Sequence, residues 1–222
     1  GTLGNSTNSD NQDPSWNSSA KFGSFGLTFD GVNDFLNITN SSLFNFPTGR
    51  SFSVGFWIKD GGGNANQDAI LEKWKGTGGY PFVFRFNTNG YILFARYDGS
   101  NNPSVLSKSN LTTGDWAFVA GVLDASTDEM MIYFNGVYEN TSTDTTTGDT
   151  TNGAGLYIAA RGDSLNYYKG TIDEVAIWNI SLDNATILNH YQKGWGFFNY
   201  SNFTSRLIDY GGVLNWTYIS WN

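Results

Sequence analysis

Apolar and polar residues alternate with a period of two over much of this chain. In Ser51–Lys59 the residues Phe52, Val54, Phe56 and Ile58 fall on one face, and Ser51, Ser53, Gly55 and Trp57 on the other. That is the pattern of a strand with one face turned to a core and the other wet or in contact with a second element. Short runs rich in β-branched and aromatic residues recur at 25–29, 82–86, 91–97, 116–124, 130–135, 156–161 and 171–179, separated by Gly, Asn and Asp at the spacing of a β-sandwich. With Ser51–Lys59 these runs suffice for two packed sheets. Asn87-Thr88-Asn89-Gly90 lies between two of them and offers an Asn-Gly pair suited to positive φ, which predicts a hairpin over 82–97. Asn135-Gly136 offers a second turn of the same chemistry.

Other segments break the alternation. Residues 1–20 hold few apolar groups, too few to offset ordering by burial, and are expected to form an irregular arm. Residues 140–152 contain no apolar side chain and read as an exposed loop. In Ser181–Lys193 the residues Leu182, Ala185, Ile187, Leu188 and Tyr191 approximate a 3.6 period, with Gly194 to close the end, so one short helix is expected. Beyond it, 203–210 and 213–221 flank Gly211-Gly212 and read as an aromatic hairpin. The expected organisation is an arm over 1–20, a sandwich over 21–194 and an extension over 195–222.

A length of 222 residues with 39% apolar and 17% aromatic positions suits one such sandwich. No stretch approaches the roughly 18 uninterrupted apolar residues of a membrane helix. The formal charge of −8 repels a phosphate backbone and argues against nucleic acid. There is no cysteine, which excludes disulfides and thiolate metal sites. Asn-x-Ser/Thr sequons begin at Asn5, Asn17, Asn37, Asn40, Asn110, Asn140, Asn179, Asn184, Asn199, Asn202 and Asn215. Chance pairing in this composition would give roughly five; the excess argues for an exported, N-glycosylated chain on or outside the cell surface. The polar opening GTLGNSTNSD is no secretory leader, so a processed product or a piece of something longer is expected.

Read in order, LTFDGVNDFLNI (27–38), SFSVGFWIK (51–59), ILEKW (70–74), WAFVAGVLD (116–124), MMIYFNGVY (130–138), LYIAARG (156–162) and YKGTIDEVAIWNISLDNATILNHY (168–191) resemble the laminin-G-like jelly-roll family of the concanavalin A-like lectin and glucanase superfamily. The resemblance implies an all-β, two-sheet antiparallel jelly roll. It also implies a strand upstream of the arm that this chain would lack, and an aromatic tail free to fill that place or to serve a neighbouring subunit.

The candidate chemistry follows. Asp30, Asn33 and Asp34 cluster on a Gly-containing turn and can offer hard oxygens to calcium, although Asp-Gly and Asn-Asp also simply make turns. Members of the family commonly hold a structural calcium, and the resemblance suggests that Asp173 completes the set. Trp74, Tyr80, Arg96, Tyr97, Asp98 and Tyr167 lie in or beside expected loops and suit stacking on sugar rings with hydrogen bonds to hydroxyls; sandwich aromatics equally serve the core. Asp173-Glu174 points its carboxylates to opposite strand faces, unlike a glycosidase pair, and His190 has no nucleophile beside it. Catalysis is therefore not expected. Arg161-Gly162-Asp163 spells an adhesion tripeptide at what the family makes a strand-to-loop turn. The expected function is a binding or adhesion module recognising glycan or protein. The alternative is a structural subunit of a surface filament or layer, self-associating through the N-terminal arm or the C-terminal hairpin.

Overall fold

The computed structural model describes residues 2–3, 13–23, 25–39, 42–193, 208–209 and 212–213. Its strands, numbered along the chain, are β1 (Thr2–Leu3), β2 (Ser15–Asn17), β3 (Gly26–Asp30), β4 (Leu36–Ile38), β5 (Phe52–Asp60), β6 (Ala69–Glu72), β7 (Tyr80–Phe86), β8 (Tyr91–Tyr97), β9 (Ser104–Asn110), β10 (Trp116–Asp124), β11 (Glu129–Phe134), β12 (Val137–Thr143), β13 (Leu156–Ile158) and β14 (Lys169–Trp178). One helix, α1 (Asn184–Lys193), and a short antiparallel pair, β15 (Ile208–Asp209) with β16 (Gly212–Val213), follow. The strands build an antiparallel jelly-roll sandwich. One sheet runs β1-β4-β13-β6-β7-β8-β9 and the other β12-β11-β10-β5-β14-β3-β2.

The alternation of β5 sends Phe52, Val54, Phe56 and Ile58 into a core shared with Phe82, Phe84 and Phe94 of the opposite sheet. Phe84 stacks on Phe94 with centroids 4.8 Å apart and meets Phe56 edge-on at 5.3 Å. Gly121 of β10 leaves room for this pair: a Cβ there would stand 2.5 Å from Phe84 Cζ and 3.0 Å from Phe94 Cδ1.

The other face of β5 is also buried, by α1. Asp183 caps the helix by accepting the Thr186 amide at 2.7 Å. Ser53 Oγ fixes its entry, donating to the Ile180 carbonyl at 2.8 Å and accepting the Leu182 amide at 2.9 Å. Ile187 and Tyr191 then cover Trp57, Phe118 and Tyr133. Both Asn-Gly turns form with positive φ, at Asn89 and Gly90 and at Asn135 and Gly136, the twist a tight hairpin requires.

The structure departs from the sequence reading at its polar edges. β9 and β12 are strands although alternation did not mark them, and β12 runs through Thr143, taking in the first four residues of the expected loop. Such edge strands bury little, so their composition stays polar. Within the expected arm, β2 pairs with β3 and β1 with β4. The run at 156–161 is strand only to Ile158, where Ala159 turns the chain at φ 67. Of the expected C-terminal hairpin, the parts beyond β15 and β16 lie outside the described residues.

Substituting Gly121 by Val drives a branched side chain into the Phe84–Phe94 stack. The expected loss is about 1–3 kcal/mol, as for other overpacked cores, read as a lowered urea midpoint at unchanged slope.

Candidate functional site

Register places a row of side chains across the outer face of the first sheet. Asn37 pairs with Tyr157, Tyr157 with Glu72, Glu72 with Val83, and Val83 with Ala95. Paired residues share a face, and the intervening Phe82, Phe84 and Phe94 occupy the core, so this row points away from it. Val83 and Ala95 are small, and Trp74, Tyr80, Leu93 and Tyr97 close over them.

The rings form a connected group. Trp74 lies 5.2 Å from Tyr80, and Tyr80 lies 5.7 Å from Tyr97. Tyr80 is buried and bonds Asn102 Oδ1 at 3.0 Å; burial pushes its phenol up to about 12. Trp74 and Tyr97 are half-buried above it, their polar tips donating to the Gly78 and Gly99 carbonyls. Tyr167 does not join them directly. It meets Phe35 at 6.5 Å, and Phe35 meets Tyr157 at 6.3 Å.

Charges border the rings in pairs. Arg85 donates to Glu72 Oε1 at 2.5 Å and to Gln67 at 3.0 Å. Its guanidinium lies 5.1 Å from the Trp74 ring, and that of Arg161 lies 5.5 Å from the same ring. Arg161 in turn bonds Asp163 at 2.8 Å. Burial raises the Glu72 carboxyl above its ordinary value while Arg85 opposes the shift. Glu72 Oε2 and Arg85 Nη2 are buried without a hydrogen-bond partner among the described residues.

Arg96 and Asp98 lie elsewhere, contrary to the sequence reading. Alternation on β8 turns Arg96 inward, where it is fully buried and bonds Asp144, Thr150 and the carbonyls of Phe46 and Pro81. Asp98 accepts the amides of Ser100, Asn101, Thr147 and Gly148, which hold its carboxyl well below the usual range. Both residues tie the 98–101 turn and the 144–150 segment to the sandwich. Lys73 does the same next to Trp74: its buried ammonium donates to both Asn152 oxygens and to the Ala154 carbonyl at 2.6–3.1 Å.

The acidic turn is ordered by its own amides. Asp30 Oδ1 accepts Val32 and Asn33, and Asp34 Oδ2 accepts Asp30. Asp34 is 5% exposed, and among the described residues its Oδ1 has no hydrogen-bond partner, nor have the buried oxygens Asn33 Oδ1 and Asp13 Oδ1. Asp30 and Asp13 stand close enough to add to the burial that raises the Asp34 carboxyl. Asp173 is not brought to this turn. Ile172 pairs with Leu27, which leaves Asp173 about 13 Å along the ladder from Asp30, and its Oδ2 accepts the Lys21 and Phe22 amides. Among the described residues no group of three or more His, Asp or Glu is placed to hold a metal; the turn set is mixed, two carboxylates and an amide oxygen.

Of the sequons, Asn110, Asn179 and Asn184 are exposed. Asn17, Asn37 and Asn140 are half-buried and donate to Thr28, Tyr157 and the Leu106 carbonyl. Asn5, Asn40, Asn199, Asn202 and Asn215 lie outside the described residues.

Two packed seven-stranded antiparallel sheets define the jelly-roll sandwich class. The Laminin_G_3 family model, described as concanavalin A-like lectin/glucanases superfamily, matches residues 30–188, and the chain belongs to that family. No curated protein matches the chain. Among solved structures it resembles the binding domain of botulinum neurotoxin serotype G (TM-score 0.67, 14% identity, 86% of this chain and 45% of that one). The binding domain of Paraclostridial Mosquitocidal Protein 1 is similar (0.67, 10%, 86% and 46%), so the chain spans under half of either relative. Domain 4 of AbnA, an extracellular arabinanase of Geobacillus stearothermophilus solved with arabinotriose, also matches (0.61, 16%, 84% and 85%). At these identities the likeness is one of fold.

Burial pulls the Lys73 amine down to about 8 from 10.5. The unfolded chain then binds more protons between those values, so stability rises with pH across that window. Thermal melts from pH 8 to 10 are expected to show the rise in the native chain and a flatter profile in Lys73→Met; parallel profiles would remove Lys73 as its source.

Proposed function

We propose that this chain is an extracellular, N-glycosylated binding module that recognises carbohydrate on the outer face of β6, β7 and β8, without catalysis of its own. The observation that carries this reading is the Trp74–Tyr80–Tyr97 group. A half-exposed indole and phenol present apolar ring surface beside polar groups that orient hydroxyls. Two carboxylates that border the rings are each engaged by an arginine, Glu72 by Arg85 and Asp163 by Arg161, which favours binding over acid–base chemistry. The fold shared with an arabinanase domain solved with arabinotriose supports the same reading, and the exposed sequons at Asn110, Asn179 and Asn184 support an extracellular address. Arg161 folded against Asp163 at 2.8 Å presents no open adhesion tripeptide.

A glycan array probed with the purified chain is expected to give discrete hits. Trp74→Ala and Tyr97→Ala should each weaken them about tenfold or more, an effect near 1.4 kcal/mol, with unchanged circular dichroism. An empty array, or hits indifferent to both substitutions, would reject the reading.

A structural calcium belongs to the same proposal. Asp13, Asn33 and Asp34 would hold it, since three buried oxygens without partners among the described residues suit a hard cation that takes six to eight oxygen ligands. The ion would join the segment before β2 to the β3–β4 turn. Excess calcium is then expected to raise the melting temperature and a chelator to reverse the gain, with Asp34→Ala insensitive to both. A native melt that ignores calcium would exclude the site.

A further inference from the structure

The aromatic group continues beyond Trp74 on a line that crosses the strands. Tyr157 is the register partner of Glu72 on the neighbouring strand, with Phe35 and Tyr167 behind it at 6.3 and 6.5 Å in successive ring contacts. From Tyr157 on β13 to Tyr97 on β8 there are three strand spacings, about 14 Å, and Phe35 beside β4 extends the line to about 19 Å. A single terminal sugar would leave most of that length bare. Between the two platforms sits Gly162, where a Cβ would collide with the Trp74 carbonyl and stand 2.6 Å from Tyr157 Cε2. No side chain therefore rises between Tyr157 and Trp74 at that point.

Charge narrows the ligand further. The two guanidiniums on the line are each matched by a carboxylate, Arg85 by Glu72 and Arg161 by Asp163. An anionic polymer finds both of these guanidiniums already compensated, with the exposed Lys75 next to Gly162 left as a nearby cation, and it approaches a chain of formal charge −8. An uncharged polymer loses nothing on either count.

We infer that this face binds a linear, uncharged polysaccharide laid across the strands, with Tyr157 as a second stacking platform about one strand spacing from the Trp74 group. The inference rests on the carbohydrate-binding reading above and adds chain length, charge class and a residue.

The test is calorimetric titration with arabino-, xylo- and cello-oligosaccharides of two to six units, and with oligogalacturonates of the same lengths as charged comparators. One neutral series is expected to gain about tenfold in affinity from dimer to pentamer. Tyr157→Ala should erase that gain, Tyr157→Phe should retain it, and Trp74→Ala should weaken every length. A dimer as tight as a hexamer, a gain that survives Tyr157→Ala, or an oligogalacturonate tighter than every neutral chain would each overturn this inference while leaving carbohydrate binding intact. Failure of all probes together with an empty array would overturn both.

Discussion

The stack of Phe84 on Phe94 against a strand position with no side chain, Gly121, sets the relation of the two sheets. Aromatic rings in a close-packed interior have little freedom to shift, so this contact fixes which residues of β7 and β8 point inward. With Phe82, Phe84 and Phe94 committed to the core, Val83, Arg85, Ala95 and Tyr97 must point outward. The surface proposed to bind carbohydrate is therefore the reverse side of the core. Its small floor residues and flanking rings are as firmly placed as the core itself.

Two buried cations, Arg96 and Lys73, and the half-buried Asp98 hold the segments that border this surface. Arg96, Lys73 and Asp98 each bond several groups from the 144–154 region or the turn at 98–101. A charge in such a place persists only where hydrogen bonds replace its water. These residues keep the ends of β6 and β8 in position, beneath the surface on which Trp74, Tyr97 and Tyr157 are proposed to meet a ligand. The site is thus preorganised: its aromatic tips are already bonded, and little ordering remains for a ligand to offset.

The sites reflect the same division between local and distant pairing. Asp30, Asn33 and Asp34 assemble from adjacent positions, and their turn was legible at once. The oxygens of Asp13 and Asp173 depend on strand register, which brings the former to Asp34 and keeps the latter with Lys21 and Phe22. Arg96 is instructive because the signal was present in the sequence: it alternates with Ala95 and Tyr97 and shares parity with Phe94 and Ile92, both buried. Grouping it with Tyr97 treated neighbours in sequence as neighbours on a face.

What the sequence by itself determined is the set of strong strands, both Asn-Gly turns and one short helix, because period-two and 3.6-period burial and positive-φ turns are properties of a few consecutive residues; the jelly-roll class followed from the resemblance of those runs, taken in order, to the laminin-G-like family. The sequence also marked Trp74, Tyr80 and Tyr97 as candidates. Only the tertiary structure decided that β9 and β12 are strands, since an edge needs hydrogen-bonding partners more than apolar side chains. Only it brought Tyr157, Arg161 and Gly162 beside Trp74 and Glu72, more than eighty positions away. Contacts between strands remote in sequence are set by register across the whole sheet, and no local pattern of residues encodes that register.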